Sequence, residues 1–486
     1  MSSIPDLRIR THNRAQVNTE ADFVLYWMTA YRRSEYNYSL QRAVDWSRDL
    51  KKPLVILEAL RSGYRWASRR LHYFVVQGMA HNAKRLRQKP VTYYPYIEPE
   101  VGAGRGLLAS LAKQACVVVS DDYPCFFIPR MHQAAEQIPV RFELVDSNGL
   151  LPMCATDRTF SRAFHFRRFL QKTLKSFLSE LPEQDPLRGT RLRKLDSLPP
   201  QVTQQWPMSA VDELAKDPSQ LADLPIDHEV AASSLPGGSA AAQERLRDFV
   251  NSKLPRYNDR NEPDRDVASG LSPYLHFGHI SAHEVFAATV ASVGWSSAKI
   301  ADKASGSSQG WWGTTEPVES FLDELITWRE LGFNMCWHRD DYDQYESLPD
   351  WAQQTLADHE GDVRSHIYEL DDFEAAATHD PLWNAAQRQL VREGRIHNYL
   401  RMLWGKKVLE WTRTPREALD IMIELNNKYA LDGRDPNSYS GIFWVLGRYD
   451  RAWGPERPVF GKIRFMSSEN TARKLKVAGY LERYAS

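Results

Sequence analysis

The apolar pattern of this 486-residue chain changes its period once, and that change limits the fold more than any other feature. Up to about residue 185, short apolar runs alternate with helical stretches. After about Ala240 the apolar residues recur at three- and four-residue spacing almost throughout. In the first part, Phe23–Thr29, Pro53–Leu60, Cys116–Ser120 and Val140–Val145 predict buried strands, while Ser68–Gln88 and the segment reaching about Leu50 predict helices. Strands alternating with helices of this length imply a parallel, doubly wound sheet. From about Pro186 the pattern dissolves into Pro-, Ser- and Asp-containing sequence that ends in SSLPGGS at Ser233–Ser239, a linker or long surface connection. Beyond it, Glu319–Phe333, Pro381–Glu393, Ile396–Trp411 and Pro415–Tyr429 predict amphipathic helices, and Gly294–Pro317, rich in Ser, Gly and Trp, predicts a protruding loop. The expected fold class is α/β plus all-α: a doubly wound domain over 1–185, a linker over 186–240 and an all-helical domain over 241–486.

Composition narrows the class of function. A hydrophobic share of 42% with 26% charged residues is that of a soluble globular protein. No apolar run approaches a membrane span, and the polar Met1–Asn18 lacks the apolar middle of a secretory signal, so an intracellular, cytoplasmic protein is expected, nucleoid-associated or nuclear included. Cys116, Cys125, Cys154 and Cys336 lie far apart, which argues against a disulfide framework or a zinc site. Formal net charge is zero, so any nucleic-acid surface must be a local patch. Fifteen tryptophans is a high count, compatible with aromatic core filling or with electronic and stacking work.

The residues that can carry chemistry lie in the helical part. Arg401 sits within a predicted helix, and Asp432 lies in the acidic loop LDGRDPN at Leu431–Asn437; a buried charge needs such a partner, and an ordinary buried ion pair meets the same description. Trp404 and Trp411 are two turns apart on one helix face, with Trp383 on the preceding helix. Three such indoles can pass an electron by hopping, or act as knobs between helices. Glu324 and Trp328, at i and i+4, are neighbours on one face, and Trp444 follows in GIFW. From Val445 to Ser486, nine Lys or Arg oppose four acids, with Trp444, Tyr449, Trp453 and Phe465 among them, the mixture that phosphate contact plus base stacking requires.

Taken together, the strings LSPYLHFG (Leu271–Gly278), HDPLWNA (His379–Ala385), Arg401-Met402, LDGRDPN (Leu431–Asn437) and GKIR (Gly461–Arg464) resemble, in order and spacing, the FAD-binding domain of class II cyclobutane-dimer photolyases of the photolyase/cryptochrome family. The resemblance is strong over about Tyr257–Tyr484 and confined to layout over about Ala21–Asn148. It implies that Tyr257 and the segment Ser269, Gly270, Leu271, Ser272 hold the FAD phosphates and ribose. It sets Arg401 and Asp432 against the isoalloxazine ring, Asn398 and Asn437 as flavin-contacting amides, and Asn426 at flavin N5. Trp404, Trp383 and Trp411 match the proximal, middle and distal electron-transfer tryptophans. Trp328 and Trp444 match the indoles flanking a flipped-out dimer, Glu324 the acid bonding it and Met402 the thioether beside it. Arg451 and Arg464 match arginines that bind DNA. The activity implied is light-driven repair of ultraviolet-damaged DNA by a monomer, with a deazaflavin or folate antenna as an optional second chromophore and no metal.

The chain also departs from that pattern. Glu284 stands where an arginine near the lesion is expected, Gly270 where a side-chain amide is expected, and the Gly294–Pro317 loop is long and carries Trp295, Trp311 and Trp312. Arg69-Arg70 and Phe160–Arg168 have no role in the resemblance. A cryptochrome-like light sensor on the same fold would keep FAD and the tryptophans but lose lesion binding.

Overall fold

The computed structural model describes residues Ile4 to Ala485, and the chain divides into two compact units. The first comprises 1–156, 174–247 and 270–291; the second comprises 157–173, 248–269 and 292–486.

The first unit is built on a six-stranded sheet of β1 (Ile9–Thr11), β2 (Phe23–Met28), β3 (Leu54–Leu60), β4 (Thr92–Ile97), β5 (Ala115–Asp121) and β6 (Phe142–Val145), in the order β1-β6-β5-β2-β3-β4. All pairings are parallel except β1 with β6. The chain runs outward from β2 to β4, then returns to lay β5 and β6 on the other side, which is the doubly wound topology. Strands β2 and β5 are buried along their whole length, which explains their unbroken apolar sequence. Helix α1 (Tyr38–Leu50) starts at Asn37, whose side chain accepts from the Leu40 N–H at 3.1 Å, and α2 (Arg69–Leu86) starts at Ser68, which accepts from Leu71 N–H at 3.4 Å. Sequence periodicity passes over β1 and β4. The first has three residues, and the second contains Pro95, which an edge strand tolerates because one row of its backbone groups has no ladder partner.

Residues 186–240 pack within this unit. Leu198, Val202 and Trp206 join the core on one face of the sheet, and the Trp206 indole donates to the Ala103 carbonyl at 2.8 Å.

The second unit is helical. Its centre is α3 (Pro381–Glu393), α4 (Asn398–Trp411), α5 (Pro415–Tyr429) and α6 (Pro436–Val445). Three of these open alike: Asp380, Thr414 and Asp435 each cap the first turn with a side-chain oxygen, and a proline follows whose missing N–H is not needed there. The helix predicted over Glu319–Phe333 runs from Glu316 to His338, and its middle, Asp323–Trp328, winds as a π-helix. The Gly294–Pro317 loop does not protrude. Trp311 and Trp312 are buried, the Trp295 indole donates to the Trp312 carbonyl at 2.6 Å, and the buried Glu319 carboxylate accepts from the N–H groups of Gly310 and Gly313. The indoles that lengthen the loop fold it onto its own unit. Among the described residues no helix is long and apolar enough to cross a membrane.

Candidate functional site

The loop between α5 and α6 shows why its sequence is so particular. Arg434 is buried and donates to the carbonyls of Asn427, Ala430 and Leu431, satisfying groups that the end of α5 leaves without helical partners. Asp435 caps α6. With both ends fixed, Asp432 reaches Arg401 of α4 at 3.3 and 3.4 Å. The pair is long and not closed over: 22% of the Arg401 side chain and 13% of the Asp432 side chain stay exposed. Asn398 and Asn437, in the first turns of α4 and α6, are exposed. Asn426, buried on α5, donates both amide hydrogens, to Ser438 at 2.8 Å and to Asn427 at 3.1 Å. That leaves its carbonyl oxygen as the group able to meet a ligand, an acceptor suited to a donor nitrogen.

Trp404 is three residues from Arg401 on α4, so the two lie on one helix face. From Trp404 an indole row runs through the helices in an order that differs from chain order. Trp404 and Trp383 are parallel, 6.3 Å between ring centres at 7°, and Trp383 meets Trp411 edge-on at 6.1 Å. All three are buried, and their placement is hydrogen-bonded as well as packed: Trp404 Nε1 donates to Gln387 at 2.9 Å, and Trp383 Nε1 to the Trp404 carbonyl at 3.0 Å. Beyond Trp411 lies a residue that sequence reasoning missed. Tyr368 packs edge-on against Trp411 at 5.8 Å, and its hydroxyl shares a hydrogen bond of 2.8 Å with Nδ1 of the exposed His379. The only sequence trace of it was His379 in HDPLWNA. Lys407 places its ammonium 5.3 Å from the Trp411 ring centre and pairs with Glu410 at 2.8 Å.

Of the residues assigned to the lesion, Met402, Trp444 and Arg464 share one cleft of about 470 Å³, with Trp453 in its wall. Glu324, Trp328 and Arg451 are not among the residues lining it. Glu324 and Trp328 lie on the π-helical stretch, a distortion found mostly at functional positions. Arg260 holds the Glu324 carboxylate at 3.3 Å, and burial pushes that carboxyl above the usual range against the pull of the arginine. The Trp444 ring has cations near it: Lys406 at 5.1 Å and Arg464 at 5.2 Å. Lys406 is fully buried, donates to the Val445 carbonyl at 2.5 Å where α6 ends, and is pushed down to about 7 by burial. Arg464 pairs with Asp450 at 3.0 Å and covers Trp453 at 4.1 Å, while the exposed Arg451 lies 4.5 Å from the same ring.

The residues assigned to the FAD phosphates are distributed as follows. Tyr257 is buried in the second unit beside Phe249 and Phe321, and Ser269 ends a segment of that unit. Gly270, Leu271 and Ser272 begin the last stretch of the first unit. Gly270 has φ +65°, and a Cβ there would stand 2.7 Å from the Arg245 guanidinium, so a side chain at this position requires Arg245 to move. Glu284 is partly buried. Its carboxylate accepts from Gln243 at 3.0 Å, the same amide that donates to Glu35 at 2.8 Å.

The fold is shared with photolyases and cryptochromes. A class III photolyase from Agrobacterium tumefaciens superposes with a TM-score of 0.66 at 18% identity, covering 96% of this chain and 86% of its own. A Synechocystis cryptochrome gives 0.65 at 13% identity over 97% and 89%. Sequence similarity goes further than the fold. The deoxyribodipyrimidine photolyase of Methanothermobacter thermautotrophicus is 34% identical over 98% of this chain and 97% of its own length, and that of Oryza sativa is 33% identical over 94% and 86%. No family model matches the chain. By the extent of that similarity, the chain belongs to the deoxyribodipyrimidine photolyase family.

Proposed function

We propose that this protein repairs cyclobutane pyrimidine dimers in DNA with light, as a class II photolyase that uses reduced FAD. The observation that carries the reading is the indole row, which starts beside the Arg401–Asp432 pair and ends at Tyr368 and the exposed His379. A structural knob cluster has no need of an open ion pair at one end and a hydrogen-bonded phenol at the other.

The residues fit an isoalloxazine ring. An incompletely enclosed ion pair, two exposed amides and the spare Asn426 carbonyl offer a charged group, donors and an acceptor to a planar polar ring edge. When bound, reduced FAD supplies light absorption and the electron that opens the cyclobutane ring. The protein's share is positional. Asn426 favours a protonated ring nitrogen facing it. Trp404, Trp383 and Trp411 relay electrons inward from Tyr368, whose phenolic proton His379 can accept. Trp328 and Trp444 stack on the extruded lesion, Glu324 bonds it, Met402 packs beside it, and Arg451 and Arg464 hold flanking phosphates. In this reading the second unit is the catalytic domain and the first the antenna-type domain. Tyr257 and Ser269–Ser272 take the FAD phosphates and ribose. A second chromophore is a further part of it: a photolyase of the same fold from Sulfolobus tokodaii was solved with two FAD molecules, at a TM-score of 0.62 and 15% identity. The protein acts as a monomer inside the cell.

The light-sensor alternative rested on Glu284 and the long loop. Glu284 shares the Gln243 amide with Glu35, and the loop is folded onto its own unit, so both departures have contacts within the chain that a loss of lesion binding does not require. The test is illumination of the chemically reduced protein with a dimer-containing oligonucleotide. Recovery of thymine absorbance in light but not in darkness is expected; a yellow, photoreducible protein that restores none is a sensor.

A further inference from the structure

The segment Asp157–Thr173 takes no part in the chemistry above, yet it belongs to the second unit. Its helix, Ala163–Thr173, buries Phe166 and Leu170, and Phe160 packs on Phe166 and Phe169 at 5.2 and 5.3 Å between ring centres. Three ties fix it in place. Arg167 forms a two-point ion pair with Asp323 at 2.6 and 2.8 Å, the Asn334 amide donates to the Arg158 carbonyl at 3.0 Å, and Arg162 makes an isolated parallel bridge with Tyr449. The segment is therefore anchored at one end to the π-helical stretch of Glu324 and Trp328, and at the other to the turn that follows Trp444.

Its outer face is basic. The stretch carries five Arg or Lys against one acid in a chain of zero formal charge. His165, Arg168 and Lys172, at i, i+3 and i+7, share one exposed side, and the exposed Arg162 stands just before the helix. Among the described residues no acidic side chain pairs with Arg162, Arg168 or Lys172. Other exposed cations of the unit do have acidic partners: Arg413 pairs with Glu369, Arg416 with Glu346 and Arg339 with Asp341. A row of unmatched cations along one face of a single helix points to an anion supplied from outside.

We propose that this basic face is a second contact for the phosphates of duplex DNA beside the lesion, continuous through Tyr449 with the turn that carries Arg451. The proposal rests on the repair reading for its partner. Phosphates, rather than an acidic protein, are favoured by that continuity: the Arg162 bridge leads to the turn holding Arg451, and Arg457 and Arg464 line the cleft with Trp444. DNA presents a charge every few ångströms along each strand, a spacing an extended row of cations can follow.

The experiment measures the affinity of full-length protein for dimer-containing and undamaged duplexes across a range of salt, for wild type and for R162Q/R168Q/K172Q. Loss of three phosphate contacts lowers the slope of log affinity against log salt by about 2.7. The drop should be the same on both duplexes, because phosphate contacts carry no sequence information. The repair yield at saturating DNA should stay at the wild-type value. The charge-retaining R162K/R168K protein should keep the wild-type slope, which separates charge from folding. A triple-variant slope within about half a unit of wild type overturns the proposal and leaves the face to another partner, since each lost contact is worth about 0.9. Failure of the repair reading looks different: a wild type that leaves dimers intact in light, but whose duplex binding still loses slope in the variant, keeps this surface and removes the catalytic assignment.

Discussion

The two units differ in the acids they leave partly served. In the α/β unit, Asp121 at the end of β5 accepts from the Tyr26 hydroxyl at 2.7 Å and from the N–H groups of Thr29, Ala30 and Tyr31 at 2.8 Å each. Glu143 on β6 is held by Arg42, Arg141 and the Trp46 indole. These carboxylates have no capacity left for a ligand. In the helical unit the buried Glu319 is served by backbone N–H groups in the same way. The part-exposed Asp432, however, has only its long contacts with Arg401, and the part-exposed Glu324 one contact of 3.3 Å with Arg260. A saturated acid holds a fold together. An under-served acid, in a protein that saturates others, marks a place where another molecule completes the shell.

The largest expected effect breaks the first side of this comparison. Asp121→Ala strands four donors around the β2–α1 loop, and each buried unsatisfied group costs about 1–3 kcal/mol. The loss should exceed about 3 kcal/mol in urea unfolding of the α/β unit. Asp432→Asn should cost the apoprotein under about 1 kcal/mol, yet release FAD on gel filtration. Equal destabilisation by the two would remove the distinction between structural and ligand-binding acids.

The second prediction bears on the indoles. Trp404→Phe breaks the row at its first member, and most photoreduction of oxidised FAD should be lost while repair by chemically reduced protein is retained. Unchanged photoreduction, followed by absorbance under blue light, would show that electrons enter by another path.

How far the sequence could be read follows from the range of the interactions concerned. The strands β2, β3, β5 and β6 were legible because each is a buried apolar run, and the helical half because its period is local. The acidic loop could be tied to Arg401 only through the family resemblance, because a buried charge calls for a partner without saying which. Tyr368 was not legible: it sits in a polar loop, and only the tertiary approach of that loop to Trp411 gives it a role. The surroundings of Glu284 were equally hidden, since its donor Gln243 and the competing acceptor Glu35 are distant in sequence. The π-helical winding at Asp323–Trp328 leaves no trace in an apolar pattern that an α-helix satisfies as well.

A smaller effect sharpens the helical side. Trp328→Ala removes one stacking face for the extruded base and should weaken binding to dimer-containing DNA by about 1–3 kcal/mol, the worth of one base–aromatic stack. Binding to undamaged duplex should hold, because no base is extruded there. Equal losses on both duplexes would place Trp328 in general DNA contact instead.

The smallest effect tests the exception within the α/β unit. Glu284 is under-served there, since it shares the single Gln243 amide with Glu35. Burial pushes its carboxyl up to about 7, reinforced by Glu35, against the pull of the Gln243 hydrogen bond, Arg33 and Arg85. The sign follows from linkage. Between the ordinary carboxyl range and about 7 the folded state holds a proton that the unfolded state has released, so stability falls as pH rises through that window. With partial solvent exposure the change is on the order of 1 kcal/mol. Glu284→Gln, which keeps the shape and never ionises, should flatten the dependence, so that urea midpoints at pH 5 and pH 8 differ less than in wild type. An identical pH dependence in the two proteins would return Glu284 to the ordinary carboxylate range. Glu284 would then rank with Asp121 as an acid that its own unit already satisfies.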